Sequence, residues 1–267
     1  MKIMRKDALK LAVVILTVGV FGFFFRWVQT LNGFEAETGL PVRGAGSGKL
    51  VTVYILLAVL SFAVMSVLYR SKYRMLKTAE ALRPATAAAN VLCRIAGLGT
   101  ALICAVLLFT AGNERYPSMQ RLFAGAGICG GGALYFVCAG GKKYPAGRYA
   151  APVLTLFLCL WLVRSYKFSA EDPVVGHYVV EILALVFTTL AWYALSAFYY
   201  DRAKPARAMF TLELAIFLDI ATLADDHGIL ISALYVIQCA ALLCFFFLLA
   251  ENMQKKTPEP EEDGEPS

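Results

Sequence analysis

Along the chain, long apolar blocks alternate with short polar joints, and the blocks have the length that a bilayer demands. A hydrocarbon core about 30 Å thick needs roughly 20 residues of helix. Blocks of that order run from Leu11 to Val28, Leu50 to Tyr69, Ala87 to Thr110, Leu122 to Ala139, Tyr149 to Val163, Val174 to Tyr200, Ala206 to Ala224 and Ile229 to Ala250. The pattern predicts an all-α fold, a polytopic transmembrane helical bundle of about eight spans within residues 1–250. Two blocks fit less well. The fifth is short for the core, and the seventh carries Glu213 and Asp219, which points to a tilted, re-entrant or partly interfacial course.

Composition agrees with a lipid solvent. Of 267 residues, 59% are hydrophobic and 16% charged, against roughly a quarter charged in a soluble domain. The net charge of +6 would suggest nucleic acid in a soluble protein; here the bases flank apolar blocks, so the partner is the lipid bilayer and no nucleic acid. With the amino terminus cytoplasmic, the inner segments hold 17 Lys and Arg, including Arg70 to Arg83, Lys142, Lys143, Arg148, Arg202, Lys204, Arg207, Lys255 and Lys256. The outer segments hold seven: Arg26, Arg43, Lys49, Arg115, Arg121, Arg164 and Lys167. This bias predicts both termini on the cytoplasmic side of a cell membrane. Lys2, Arg5, Lys6 and Lys10 precede the first block as in a signal peptide, but Phe23-Phe24-Phe25-Arg26-Trp27 offers no small-residue cleavage site, so an uncleaved anchor is expected. Residues 251–267 are expected to form a disordered acidic cytoplasmic tail.

Spans one and two are joined by an outer loop that begins near Arg26-Trp27 and carries Glu35 and Glu37. The joint of spans five and six repeats the plan with Trp161, Arg164, Glu171 and Asp172. The echo points to two parallel four-helix halves, a plan found among transporters. Apolar helices also resemble one another by composition alone, so a single undivided bundle stands beside it.

At Phe25-Arg26-Trp27 to Gly39-Leu40-Pro41, and again at Trp161-Leu162-Val163-Arg164-Ser165-Tyr166, the chain resembles uncharacterised multi-span membrane proteins of Gram-positive anaerobic bacteria. The motifs are short. The resemblance implies a cytoplasmic-membrane location, and since that group has no known activity, no functional residue is carried over.

Four ionisable residues fall inside spans, where exposure to lipid is costly and an inward face with a partner is expected. Arg94 and Glu213 lie at matching depth, about two turns from the cytoplasmic starts of their spans, and are expected to form a buried ion pair. Asp219 lies about 120° round the helix from Glu213 and needs another partner. Glu181 has similar depth on the preceding span, so the two carboxylates are expected to meet. His177 precedes Glu181 by one turn, with Asp225, Asp226 and His227 nearby, which outlines an ion path of His177, Glu181 and Asp219. The bland alternative leaves the histidines interfacial and lets Glu181 snorkel outward.

Gly127 and Gly131 make a Gly-x-x-x-Gly step in span four, matched by Gly97 and Ala101 in span three, which predicts backbone-to-backbone packing of the two spans. A sharper reading makes Gly130 to Gly132 an unwound substrate site. Gly44-Ala45-Gly46-Ser47-Gly48-Lys49-Leu50 misses the phosphate-loop pattern at Arg43 and Leu50 and reads as a linker. All seven cysteines lie in apolar blocks without a Cys-x-x-Cys pair, so neither disulfides nor zinc are indicated, and no metal or cofactor is expected. An enzyme would need a nucleophile with a base, or a metal cluster, and two peripheral histidines supply neither. Two readings remain: transport of a small solute or protons along the buried carboxylates, or a non-catalytic scaffold, sensor or partner subunit. Topology reporters fused after Lys77, Lys143, Arg202 and Lys255 should report the cytoplasm and those after Glu114 and Glu171 the outside; an outside signal at Arg202 contradicts the eight-span reading.

Overall fold

The computed structural model describes residues 5–35, 37–42, 44, 46–74, 76–82, 87–138 and 145–255. Of the expected tail, residues 256–267 lie outside them, whereas Glu251 still belongs to the last helix and Gln254–Lys255 form a short strand, so the tail cannot begin at 251. The fold is all-α, with eight helices: α1 (Arg5–Asn32), α2 (Ser47–Lys72), α3 (Ala87–Thr110), α4 (Pro117–Cys138), α5 (Pro145–Ser169), α6 (Val179–Ser196), α7 (Pro205–Ala221) and α8 (Ile229–Glu251). Among the described residues β-pairing is confined to a two-residue antiparallel ladder, Tyr73 with Lys255 and Arg74 with Gln254, and an isolated bridge of Phe34 with Pro41. The fifth block is longer than its apolar run suggested, because α5 continues through Arg164 and Lys167 to Ser169. Residues 47–50, read as linker, already form the first turn of α2.

Six helices are long and apolar enough to cross a membrane: α1, α2, α3, α5, α6 and α8. This makes the chain an integral membrane protein in contact with lipid. α4, with its glycines, and α7, 17 residues long with two carboxylates, are not among the six. Both nevertheless traverse the full depth of the bundle. Near its start α7 accepts a hydrogen bond at the Ala206 carbonyl from Ser66 Oγ, close to the end of α2, and beyond its end Asp225 meets Arg26 near the end of α1. Gln120 at the start of α4 meets Arg164 near the end of α5, and the Val137 carbonyl at its other end accepts from Tyr199. The helices therefore alternate in direction. The end of α8 lies on the face that carries residues 73–82, where the Asn252 amide donates to the Ala81 carbonyl.

α8 is apolar nearly all round, the composition of a helix enclosed by protein on every side. α3 to α7 form an arc around it. Each consecutive pair of α3, α4, α5, α6, α7 and α8 packs together, and α8 closes back onto α3. Trp161 of α5 and Trp192 of α6 reach inward to Tyr235 and Phe245 of α8. α1 and α2 pack outside this arc, mainly on α7. The α1 seam has heptad spacing: Ala8, Ala12, Ile15, Gly19, Gly22, Arg26 and Gln29 are all buried. Gly19 and Gly22 admit Ile220 and Phe217 of α7; a Cβ on either glycine would fall 2.7 Å from those side chains. α2 buries only Val51, Ala58, Phe62 and Tyr69 and presents Leu56, Leu60 and Val67 outward.

Two separate four-helix halves do not appear. α2 and α3, consecutive in the chain, hardly touch, whereas their supposed counterparts α6 and α7 pack closely. The shared Trp and Arg signals mark two joints on the same face, and apolar helices of like composition supply the rest of the resemblance.

α3 and α4 approach backbone to backbone. A Cβ at Gly97 would lie 2.6 Å from the Tyr135 nitrogen, and one at Gly131 would lie 2.5 Å from the Ala101 nitrogen. Gly127 faces Cys104, whose sulfur would be 2.3 Å from an added Cβ. Without a side chain at these three glycines the helices close to van der Waals contact, the main attraction available between helices in lipid. Gly130 faces Phe157 of α5, and α4 is a continuous helix, so there is no unwound segment at Gly130 to Gly132. Gly131→Leu should lower stability by about 3 kcal/mol from overpacking. Gly132→Leu, whose Cβ meets nothing within 4 Å, should not. Thermal melts of the two variants in one detergent check this.

Candidate functional site

The polar interior is organised from the face at which α1 ends and α6 and α8 begin. Arg26 is 1% exposed although it sits in an apolar helix. Its Nε donates to Asp225 Oδ1 at 2.7 Å, and Nη1 donates to Gln29 Oε1 at 2.8 Å and to the Gly176 carbonyl at 2.9 Å. Nη2 donates to the His177 carbonyl at 2.7 Å. One guanidinium thus fastens α1 to the joints before α6 and after α7. A buried charge is tolerable only with such pairing, because desolvation costs several kcal/mol. Burial pushes the Asp225 carboxyl up, and the Arg26 charge opposes this.

From Asp225 the network runs inward. Thr222 Oγ1 lies 3.2 Å from Asp225 Oδ2 and 3.1 Å from His227 Nε2. The other ring nitrogen of His227 lies 3.8 Å from Glu181 Oε2. Glu181, 7% exposed, accepts from Ser165 Oγ of α5 and from Tyr235 Oη of α8, the latter at 3.4 Å. Arg164 is buried beside them, donating to Gln120 Oε1 at 2.7 Å with its guanidinium over the rings of Phe123 and Phe168. Four helices, α4, α5, α6 and α8, therefore meet around Glu181 and Arg164.

Deeper in the bundle, Asp219 is fully buried and accepts from Thr188 Oγ1 at 2.8 Å, while its Oδ2 has no hydrogen-bond partner among the described residues. Trp192 Nε1 donates to Gln238 Oε1 at 3.2 Å. Glu213 is fully buried near the opposite face, with neither oxygen hydrogen-bonded; Tyr69 of α2 is within its electrostatic reach, but that hydroxyl too lacks a bond of good geometry. On α6 the buried polar positions Glu181, Thr188, Trp192 and Ser196 recur at helical spacing on one face. α6, α7 and α8 thus enclose polar groups at several depths.

The expected partners are rearranged. Arg94 and Glu213 do not pair: α3 is not a neighbour of α7 in the bundle, and the Arg94 guanidinium lies instead over Tyr135 of α4, 5.6 Å from the ring centre. Asp219 and Glu181 do not meet. Asp219 is level with Thr188, seven residues and about 10 Å of helix rise beyond Glu181. His177 does not stack on Glu181, because α6 begins at Val179 and residues Val175–His177 form a separate 3₁₀ turn. His177 Nδ1 lies 2.6 Å from Asp172 Oδ2, and its ring packs on Phe34. The histidine against Glu181 is His227.

Outside the spans, the Val174 N–H and then His177 hold the Asp172 carboxyl below its usual range. A depressed carboxylate stabilises the fold above its unfolded pKa and loses that contribution as pH falls through the folded value. Asp172 is about one third exposed, so the effect is small.

Sequence reasoning passed over Arg26, Arg164, Ser165, Thr188, Tyr235 and Gln238. The usable signal was that Arg26 and Arg164 stand in the echoed Arg-bearing segments, and that Gln29 follows Arg26 by three residues on the same helical face. Arg26→Met should destabilise the protein by about 3 kcal/mol, since the buried Asp225 loses its guanidinium partner. Arg115→Met, which removes an exposed pair with Glu171, should cost under about 1 kcal/mol; melting curves in one detergent compare them.

Among the described residues no group of three or more His, Cys, Asp or Glu is placed to hold a metal ion. No protein-family model, curated protein or solved structure matches the chain.

Proposed function

We propose that this is a non-enzymatic protein of a bacterial cytoplasmic membrane that crosses it eight times, with both termini cytoplasmic. Its role in this reading is to move protons, or a small solute coupled to protons, past the buried carboxylates of α6 and α7. The positive-inside bias supports the orientation, and the full-depth course of α4 and α7 supports eight crossings. The face that bears Arg26 is then the outer one.

One observation carries the transport reading: among the described residues, one carboxyl oxygen of Asp219 and both of Glu213 have no hydrogen bond of good geometry, at different depths of a helix enclosed by other helices. A bilayer interior punishes unsatisfied polar atoms, so such groups are retained where a proton, cation or water exchanges with them. From outside, Asp225, His227, Glu181 and Tyr235 lead toward Asp219; from inside, Tyr69 leads toward Glu213. His227 suits a relay by position, with one ring nitrogen 3.1 Å from Thr222 Oγ1 and the other 3.8 Å from Glu181 Oε2.

The second reading, a scaffold or partner subunit, is favoured by one specific fact: neither described cavity reaches Glu181, Asp219 or Glu213. Proteoliposomes loaded with a pH-sensitive dye separate the two. The transport reading expects proton flux that Glu181→Gln and Asp219→Asn each reduce at least about tenfold. Absence of flux in the parent, or flux indifferent to both substitutions, removes it, and crosslinking to one protein in native membranes would then establish the other.

A further inference from the structure

Two cavities meet at the face that carries the end of α8. The first is a groove of about 1170 Å³ beside α5, α6 and α7, walled by Leu156, Phe187, Leu190, Tyr193 and Phe210. The second, about 770 Å³, includes Arg70 and Lys77. Arg202, Lys204 and Arg207 line both, so an apolar groove opens into a basic basin.

Arg148 adds a further base at the mouth, and the local covalent structure holds it there. Pro152 lies inside α5 and has no N–H, which leaves the Arg148 carbonyl without its helical donor. Tyr200 Oη donates to that carbonyl at 2.8 Å. The Arg148 guanidinium in turn lies 5.5 Å from the centre of the Tyr200 ring, and its Nε donates to the Tyr199 carbonyl at 3.3 Å. Among the described residues no acid lines the groove, and Asp201 is the one acid lining the basin. Among the described residues Arg148, Arg202, Lys204 and Arg207 have no carboxylate partner.

We propose that this groove binds one anionic glycerophospholipid from the adjoining leaflet, with its phosphate among Arg148, Arg202, Lys204 and Arg207 and an acyl chain along Leu156, Phe187, Leu190 and Tyr193. Charge complementarity selects the headgroup, since guanidinium forks match phosphate oxygens. The wall selects a lipid over a free anion: Leu156 and Tyr193 are 65% and 64% exposed in the protein alone and need an apolar neighbour. A neutral lipid would satisfy the wall and leave the bases unmatched. Neither cavity reaches Glu181, Asp219 or Glu213, so the site does not rest on the proton path.

Native mass spectrometry of the full chain released from nanodiscs of mixed phosphatidylglycerol and phosphatidylcholine tests this. The parent should retain one phosphatidylglycerol in preference to phosphatidylcholine. Each of Arg202→Gln, Lys204→Gln and Arg207→Gln should weaken retention about fivefold, the effect of one base near an anionic headgroup. Leu190→Trp, at a lipid-facing position that tolerates bulk, should displace the lipid while all the bases remain. Retention unchanged in both kinds of variant overturns the proposal, as does equal retention of the two lipids by the parent. Displacement of the bound lipid by millimolar inorganic phosphate would reduce the site to an anion site and also overturn it.

Discussion

The organising constraint is that a polar group inside hydrocarbon must find its partner in the protein. Arg26 shows how far this reaches. A guanidinium near the end of an otherwise lipid-facing helix forces α1 to turn that face inward, and its four hydrogen bonds fix the joints before α6 and after α7. The heptad seam of α1 follows from this anchor and from the glycines that admit α7. The two carboxylates of α7 impose the same demand on their own helix. α7 is accordingly buried on nearly all sides, while α2, which carries no charge along the length it shares with lipid, lies at the rim.

Much of the architecture was legible as block length and charge bias. Each apolar block holds one helix, and the small-residue steps of α3 and α4 face each other, because length, hydropathy and residue volume act locally. Partner choice was not legible. Arg94 and Glu213 match in depth, yet depth along the membrane normal says nothing about azimuth within the bundle, and α3 and α7 lie apart in the arc. Two carboxylates on consecutive helices suggested a meeting of Glu181 with Asp219. Short hydroxyl side chains, Ser165 and Thr188, took those places, and their pairing left no trace in hydropathy. His177 failed for a local reason: α6 starts at Val179, five residues later than the apolar block from Val174 implied, so the one-turn relation to Glu181 was never formed.

The same chain thus presents two chemically distinct ends. At one, Arg26, Arg164, Asp225, His227 and Glu181 are buried and paired, which makes that end rigid and leaves its charges available only through exchange with one another. At the other, Arg148, Arg202, Lys204 and Arg207 border open cavities and have no carboxylate partner among the described residues. The first arrangement suits passage or storage of a proton; the second suits contact with an anionic membrane surface. Between them Asp219 and Glu213 depend on α7 staying screened from lipid.

That screening is the central claim, and labelling from within the bilayer tests it most directly. With a photoreactive group on the acyl chains of reconstituted lipid, carbene insertion mapped by mass spectrometry should mark Leu56, Leu60 and Val67 of α2 and Leu102 of α3, and leave residues 212–219 of α7, beyond the groove that Phe210 and Thr211 line, unmarked. Labels on that segment of α7, or none on α2 and α3, would contradict the account.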